Sequence, residues 1–95
     1  FRNTMSMSQP LEQKRTKKRS SHLFFLTVYN DDVNTFDHVI ESLVEICGHE
    51  LTQATQCTYI IHYKGSCAVK EGTFENLSPL QKQLLSKGLS AGLST

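Results

Sequence analysis

Four polar residues stand where the surrounding chain is apolar. Asn30, Asp31 and Asp32 close the run Leu23-Phe24-Phe25-Leu26-Thr27-Val28-Tyr29, and His62 follows Ile60 and Ile61. An ionised carboxylate and an amide oxygen accept hydrogen bonds, and a neutral imidazole offers one acceptor nitrogen. Three acceptors converging on one point match an ammonium group and its three donors. A charge-assisted bond from –NH₃⁺ to a carboxylate is roughly twice as strong as a neutral one. An acylated nitrogen would leave acceptors unpaired, at about 1–3 kcal/mol for each buried group. Such a site selects free α-amines by penalty as well as by attraction.

The same residues also admit plainer work. Asn-Asp-Asp after a strand serves as a turn with a helix cap, and a histidine at a helix end serves as a surface or capping residue. Asp31, Asp32 and His62 could together ligate a metal or run acid–base chemistry. No spacing identifies a base-activated nucleophile, and there is no glycine-rich phosphate loop. Cys47, Cys57 and Cys67 are an odd set spaced ten apart, without a CxxC pair and without a histidine at zinc-finger spacing. They read as packed, reduced thiols of a cytoplasmic protein, with no metal or cofactor implied. Spacing alone leaves the amine grip, the turn and the metal site all open.

These residues need elements to position them. The aromatic and β-branched run from Leu23 to Tyr29 is the signature of a buried strand, and Asn30, Asp31 and Asp32 end it. Asn34 or Thr35 can cap a helix with apolar positions Phe36, Val39, Ile40, Leu43 and Ile46, stopped by Gly48. A second helix runs from a cap at Thr52 to about Tyr63, with Ala54, Cys57, Ile60 and Ile61 inward, and Gly65 ends it. A short strand over 66–70, a helix over 75–87 carrying Leu77, Leu80, Leu84 and Leu85, and a last strand over 89–93 complete the order. The expected fold is α+β: β-α-α-β-α-β, a three-stranded antiparallel sheet packed with three helices. In that fold Asn30 and Asp32 share a face of an extended segment, and His62 joins them if the second helix packs against the junction.

Charge is unevenly spread. Lys14, Arg15, Lys17, Lys18 and Arg19 are half of the 10 Lys and Arg, so the net charge of +1 hides a net acidic remainder. Residues 1–22 are polar, basic and aperiodic, which reads as a disordered N-terminal extension of solvated charge. A native chain would begin at Met5 or Met7, so the first residues read as an appended remnant. Residues 23–95 form the single domain. A domain of this size buries only about 60% of its unfolded surface, so it supports a shallow surface pocket and no large internal cavity. No apolar stretch approaches the ~18 residues of a membrane span.

At the polar residues the sequence resembles ClpS, the bacterial N-end-rule adaptor family of the Clp protease system. The likeness is carried by Val28-Tyr29-Asn30-Asp31-Asp32, by the helix Phe36–Ile46, and by Ala54-Thr55-Gln56 followed by Ile61-His62-Tyr63-Lys64-Gly65. The family pattern N-D-D, x-T-P-M and V-H-x-x-G fits without a gap from Asn30 to Gly65, and the resemblance covers about residues 23–94. It implies a non-enzymatic adaptor that binds proteins beginning with Phe, Leu, Tyr or Trp. It would dock on the N-terminal domain of a ClpA-type AAA+ unfoldase and deliver them for degradation, as a monomer in the cytoplasm. Position by position, the resemblance gives the α-amine grip to Asn30, Asp31, Asp32 and His62. It gives the side-chain pocket to Asn34, Phe36, Thr58, Ile61 and Leu89, and unfoldase contact to Glu75. The N-terminal extension corresponds to the family's own, which takes part in delivery.

Three departures from the pattern stand out. The family's Thr-Pro-Met reads Asn34-Thr35-Phe36, which puts a rigid ring in place of a flexible methionine. A second pocket methionine is Thr58. The segment after Gly72 is several residues shorter than the common form, which alters the docking surface. Other readings of the chain are an interaction domain with the topology of the ribosomal stalk C-terminal domain, a nucleic-acid binder led by the basic arm, and a metal-dependent enzyme. Topology does not separate the first of these from the adaptor; the polar trio does, because a stalk domain would not need it.

Overall fold

The computed structural model describes residues 23–95, and the basic extension over 1–22 lies outside the described residues. The elements are β1 (Phe24–Tyr29), α1 (Phe36–Cys47), α2 (Leu51–Lys64), β2 (Ser66–Gly72), α3 (Phe74–Ser86) and β3 (Ser90–Ser94). This is the expected β-α-α-β-α-β order. The sheet has β1 at its centre, antiparallel to β2 on one side and to β3 on the other. Leu26 and Val28 of β1 point into the helices and are almost fully buried. Phe25 and Tyr29 alternate to the uncovered face and are about half exposed, as the two-residue period of a strand requires. The run therefore reads as a strand buried on one face only. Val69 is an extra residue on β2, where the register with β1 shifts between Leu26 and Thr27; the bulge keeps Val69 in the core.

Each helix starts and stops for a local reason. Thr35, and not Asn34, caps α1 by accepting from the His38 N–H at 3.1 Å, and Gly48 ends the helix at φ 72°. Thr73 caps α3 in the same way through Asn76. In α2 the N-cap is Glu50 without a side-chain bond, so the expected cap at Thr52 falls inside the helix. That helix buries Ala54, Thr58 and Ile61. Ile60 was expected inward but is 40% exposed, because it lies about 100° around the helix from the buried Ile61. Leu85 is likewise exposed, and Leu77 and Leu84 carry the buried face of α3. The core joins Leu26, Val28, Leu43, Ala54, Val69, Leu77, Leu84 and Leu89 from five of the six elements and the turn before β3. Among the described residues no helix is long and apolar enough to cross a membrane.

Candidate functional site

The polar residues meet because the sheet continues for one bond past its strands. Tyr29 pairs with Ser66 and Ser90, and the next N–H, that of Asn30, donates to the Gly65 carbonyl at 2.9 Å. Gly65 is the C-cap of α2, at φ 98°, with its own N–H bonded to the Ile61 carbonyl. A side chain is strained at that φ, so the glycine that stops α2 also fixes Asn30 beside the helix's last turn. His62 stands on that turn.

The Asn30–Asn34 segment bends from Asp32 onward, so strand alternation does not aim its side chains. Asp31 does. Its Oδ1 accepts the N–H groups of Val33 and Asn34, each at 2.9 Å, and its Oδ2 accepts the Asn34 amide at 2.8 Å. The other Asn34 amide bond reaches the Gly88 carbonyl at 2.9 Å, which latches the loop to the end of α3. Gly88 holds the left-handed conformation, φ 88°, at that contact. The Asn34 and Val33 amides, and the Asn34 side chain with them, hold the Asp31 carboxyl below its ordinary value of 3.8, against a smaller opposing effect of burial. The turn reading and the grip reading thus apply to different residues. Asp31 works as the turn, while Asp32 is exposed and neither Asp32 nor the side chains of Asn30 and His62 hydrogen-bond another described residue.

Between this loop and α2 lies a pocket of about 250 Å³. Asn30, Asp31, Asp32 and His62 stand around it, and Asn34, Phe36, Thr58 and Ile61 complete its lining with Val39. Eight of the nine residues expected for grip and pocket are therefore together. Leu89 is the ninth; it is buried in the core and is not part of the lining. Val39 was read only as core, although its place one turn after Phe36 on the same helix face could have assigned it. The Thr58 hydroxyl donates to the Ala54 carbonyl at 2.8 Å, so the wall keeps no free donor there. The Phe36 ring stands edge-on to His62 at 5.3 Å and to Tyr59 at 5.0 Å between centroids. Glu75 sits exposed in the first turn of α3, which begins at the opposite end of the sheet from Asn30.

The chemistry of this arrangement is recognition of a small amphipathic group. A cavity of ~150 Å³ holds a benzene ring, and drug-sized ligands take roughly 300–1,000 Å³. The pocket falls between, and its size suits one apolar side chain. Its mouth carries acceptors for one cation. With both Asp31 oxygens spent on the loop, Asp31, Asp32 and His62 do not form a metal-binding set, and no other group of three metal-ligating residues exists among the described residues. Burial pushes the Cys47 and Cys67 thiols up to about 11, which keeps them protonated and unreactive at neutral pH.

The family described as ATP-dependent Clp protease adaptor protein ClpS matches residues 19–94. A Campylobacter jejuni protein named ATP-dependent Clp protease adapter protein ClpS is 40% identical over 62 residues, 65% of this chain and 62% of that protein. The chain thus spans less than two thirds of the length of that relative. Proteins of the same name from Thermosynechococcus vestitus and Nostoc are 30% and 34% identical over 82 residues each. Those matches take in 85% of this chain and 87% and 84% of the two relatives.

Proposed function

The chain belongs to the ClpS family of ATP-dependent Clp protease adaptors, and from that premise we propose that it grips the free N-terminus of proteins and delivers them to a Clp unfoldase-protease. Asp32, Asn30 and His62 accept the three hydrogen bonds of the α-ammonium group. Asp31 holds the loop that presents them. The first side chain of the substrate enters between Phe36, Val39, Thr58 and Ile61. The observation that carries this reading is that three acceptors without partners among the described residues line one apolar pocket. An adaptor needs no catalytic group.

The pocket volume suits Phe and Leu. With a rigid ring at Phe36 and a short side chain at Thr58, its depth and width differ from a wall of two flexible methionines, so Tyr and Trp rank below Phe and Leu. Docking would use the N-terminal domain of a ClpA-type AAA+ unfoldase, with Glu75 and the start of α3 on the surface away from the pocket. That placement leaves the substrate free while the adaptor is docked. The 1–22 extension would assist delivery, and the protein would act as a cytoplasmic monomer.

A titration with fluorescent peptides beginning Phe, Leu, Tyr, Trp or acetyl-Phe tests the core of this. Binding of free Phe and Leu peptides with acetyl-Phe silent is the expected result. Equal binding of acetyl-Phe and Phe peptides would remove the amine grip, and equal affinity for all four free residues would remove the ranking.

A further inference from the structure

Helix α2 carries more apolar surface than the core uses. Tyr59 and Tyr63, four residues apart on one face, are 49% and 75% exposed. Their rings are parallel to within 1° with centroids 6.1 Å apart, so they form one stacked aromatic strip. The strip is continuous with the pocket mouth. Phe36 lies 5.0 Å from Tyr59, and His62 lies 4.9 Å from Tyr63. A peptide held by its α-amine and first side chain must leave the mouth along some path. Among the described residues the pocket is also bordered by the Asn30–Asn34 loop, whose side chains are latched or polar apart from Val33.

We propose that Tyr59 and Tyr63 form a second subsite that reads the third residue of the bound N-terminus and favours a flat side chain, an aromatic ring or an arginine guanidinium. This rests on the peptide-binding reading above and adds a register to it. An extended chain alternates its side chains and advances about 3.3 Å per residue. With the first side chain pointing into the pocket, the second points to solvent. The third returns to the adaptor surface about 7 Å along, on the side where Tyr59 and Tyr63 adjoin the Phe36 and His62 rings. Exposed tyrosine rings reward another ring by stacking and a guanidinium by stacking and cation–π attraction. Lysine brings the same charge without the plane.

The test is a titration of N-terminal Phe peptides in which only positions two and three change, against the wild type and the Tyr59→Ala/Tyr63→Ala double variant. On the wild type, Phe-Ala-Trp and Phe-Ala-Arg bind about three- to fivefold tighter than Phe-Ala-Ala, and Phe-Ala-Lys stays within about twofold of it. In the double variant that ratio falls to about one, and Tyr59→Phe/Tyr63→Phe restores it. Equal affinity of Phe-Ala-Trp and Phe-Ala-Ala on the wild type overturns the subsite, as does a ratio that survives in the double variant. A gain for Phe-Trp-Ala in place of Phe-Ala-Trp overturns the register. Failure of every Phe peptide to bind overturns the peptide-binding reading itself, and the subsite with it.

Discussion

Two depressions among the described residues differ in kind, and the larger of this pair is not the one that looks built for a ligand. On the outer side of α1, Ile40, Glu41, Val44, Glu45, Leu51 and Lys87 line about 450 Å³, against about 250 Å³ beside the Asn30–Asn34 loop. In the larger one the cation already has its anion, since the Lys87 Nζ lies 3.3 Å from a Glu45 carboxylate oxygen. In the smaller one the internal polar bonds are made by Asp31 and Asn34, and the side chains of Asp32, Asn30 and His62 line the pocket without a hydrogen-bond partner among the described residues. Recognition is indicated by polar groups that are positioned yet unpaired, because unpaired acceptors gain most when a donor arrives. Volume alone indicates only a gap between helices.

The sharpest way to break this contrast is to remove an unpaired acceptor. Asp32→Ala deletes the charge partner of the ammonium, and a bond to a charged group contributes about 1.5–3 kcal/mol. Affinity for a Phe peptide should fall at least tenfold, with the melting temperature unchanged, because Asp32 bonds no other described residue. His62→Ala should cost about 1–2 kcal/mol, less than Asp32→Ala because a neutral acceptor is lost. Wild-type affinity in either variant, read by fluorescence anisotropy, would mean the acceptors at the mouth are idle.

A smaller effect separates holding the loop from binding the ligand. Asp31→Ala removes the acceptor of two backbone amides and of the Asn34 side chain. On a half-exposed loop that should cost about 1 kcal/mol of stability and weaken peptide binding about fivefold. The pH dependence follows from the lowered carboxyl. A depressed folded value means the stabilisation is complete above the ordinary value of 3.8 and is lost as pH falls through the lowered one. Wild type and Asp31→Ala should therefore differ by a constant amount above about pH 5 and converge on further acidification. Denaturation curves from pH 7 to pH 2 decide it, and a gap that widens in acid would show that the carboxylate is not the latch.

How far the residues themselves disclosed this division differs from place to place. The element order was legible because several boundaries have their own chemistry: Asn34 or Thr35 as a cap, Gly48 and Gly65 as stops, and a clean helical period from Phe36 to Ile46, whereas the Thr73 cap emerged only from the structure. In α2 the reading slipped. Its apolar residues run around the helix, and Thr58 is buried only because its hydroxyl bonds back to Ala54, so Ile60 was placed inside. The roles of Asn30, Asp31 and Asp32 were not separable in sequence. Alternation assigned Asn30 and Asp32 to one face, yet the segment bends, and the Asp31 bonds to Val33 and Asn34 decide which side chains stay free. Leu89 was placed in the pocket by resemblance; its position after the Gly88 turn puts it in the core.

The weakest effect tests the other half of the comparison. Lys87→Ala and Glu45→Ala each break the ion pair in the larger depression, whose partners are 45% and 67% exposed in their side chains. Exposed pairs contribute roughly 0.2–1 kcal/mol and are screened by salt. The link from this region to the pocket runs through backbone, since the Lys87 carbonyl is the atom that contacts the His38 Nε2 at 2.8 Å, and alanine keeps that carbonyl. Stability should therefore shift by no more than about 0.5 kcal/mol, and Phe-peptide affinity should stay within about twofold. A tenfold loss of affinity from either substitution would mean that the depressions are coupled through α1, and that the paired charges belong to the binding site after all.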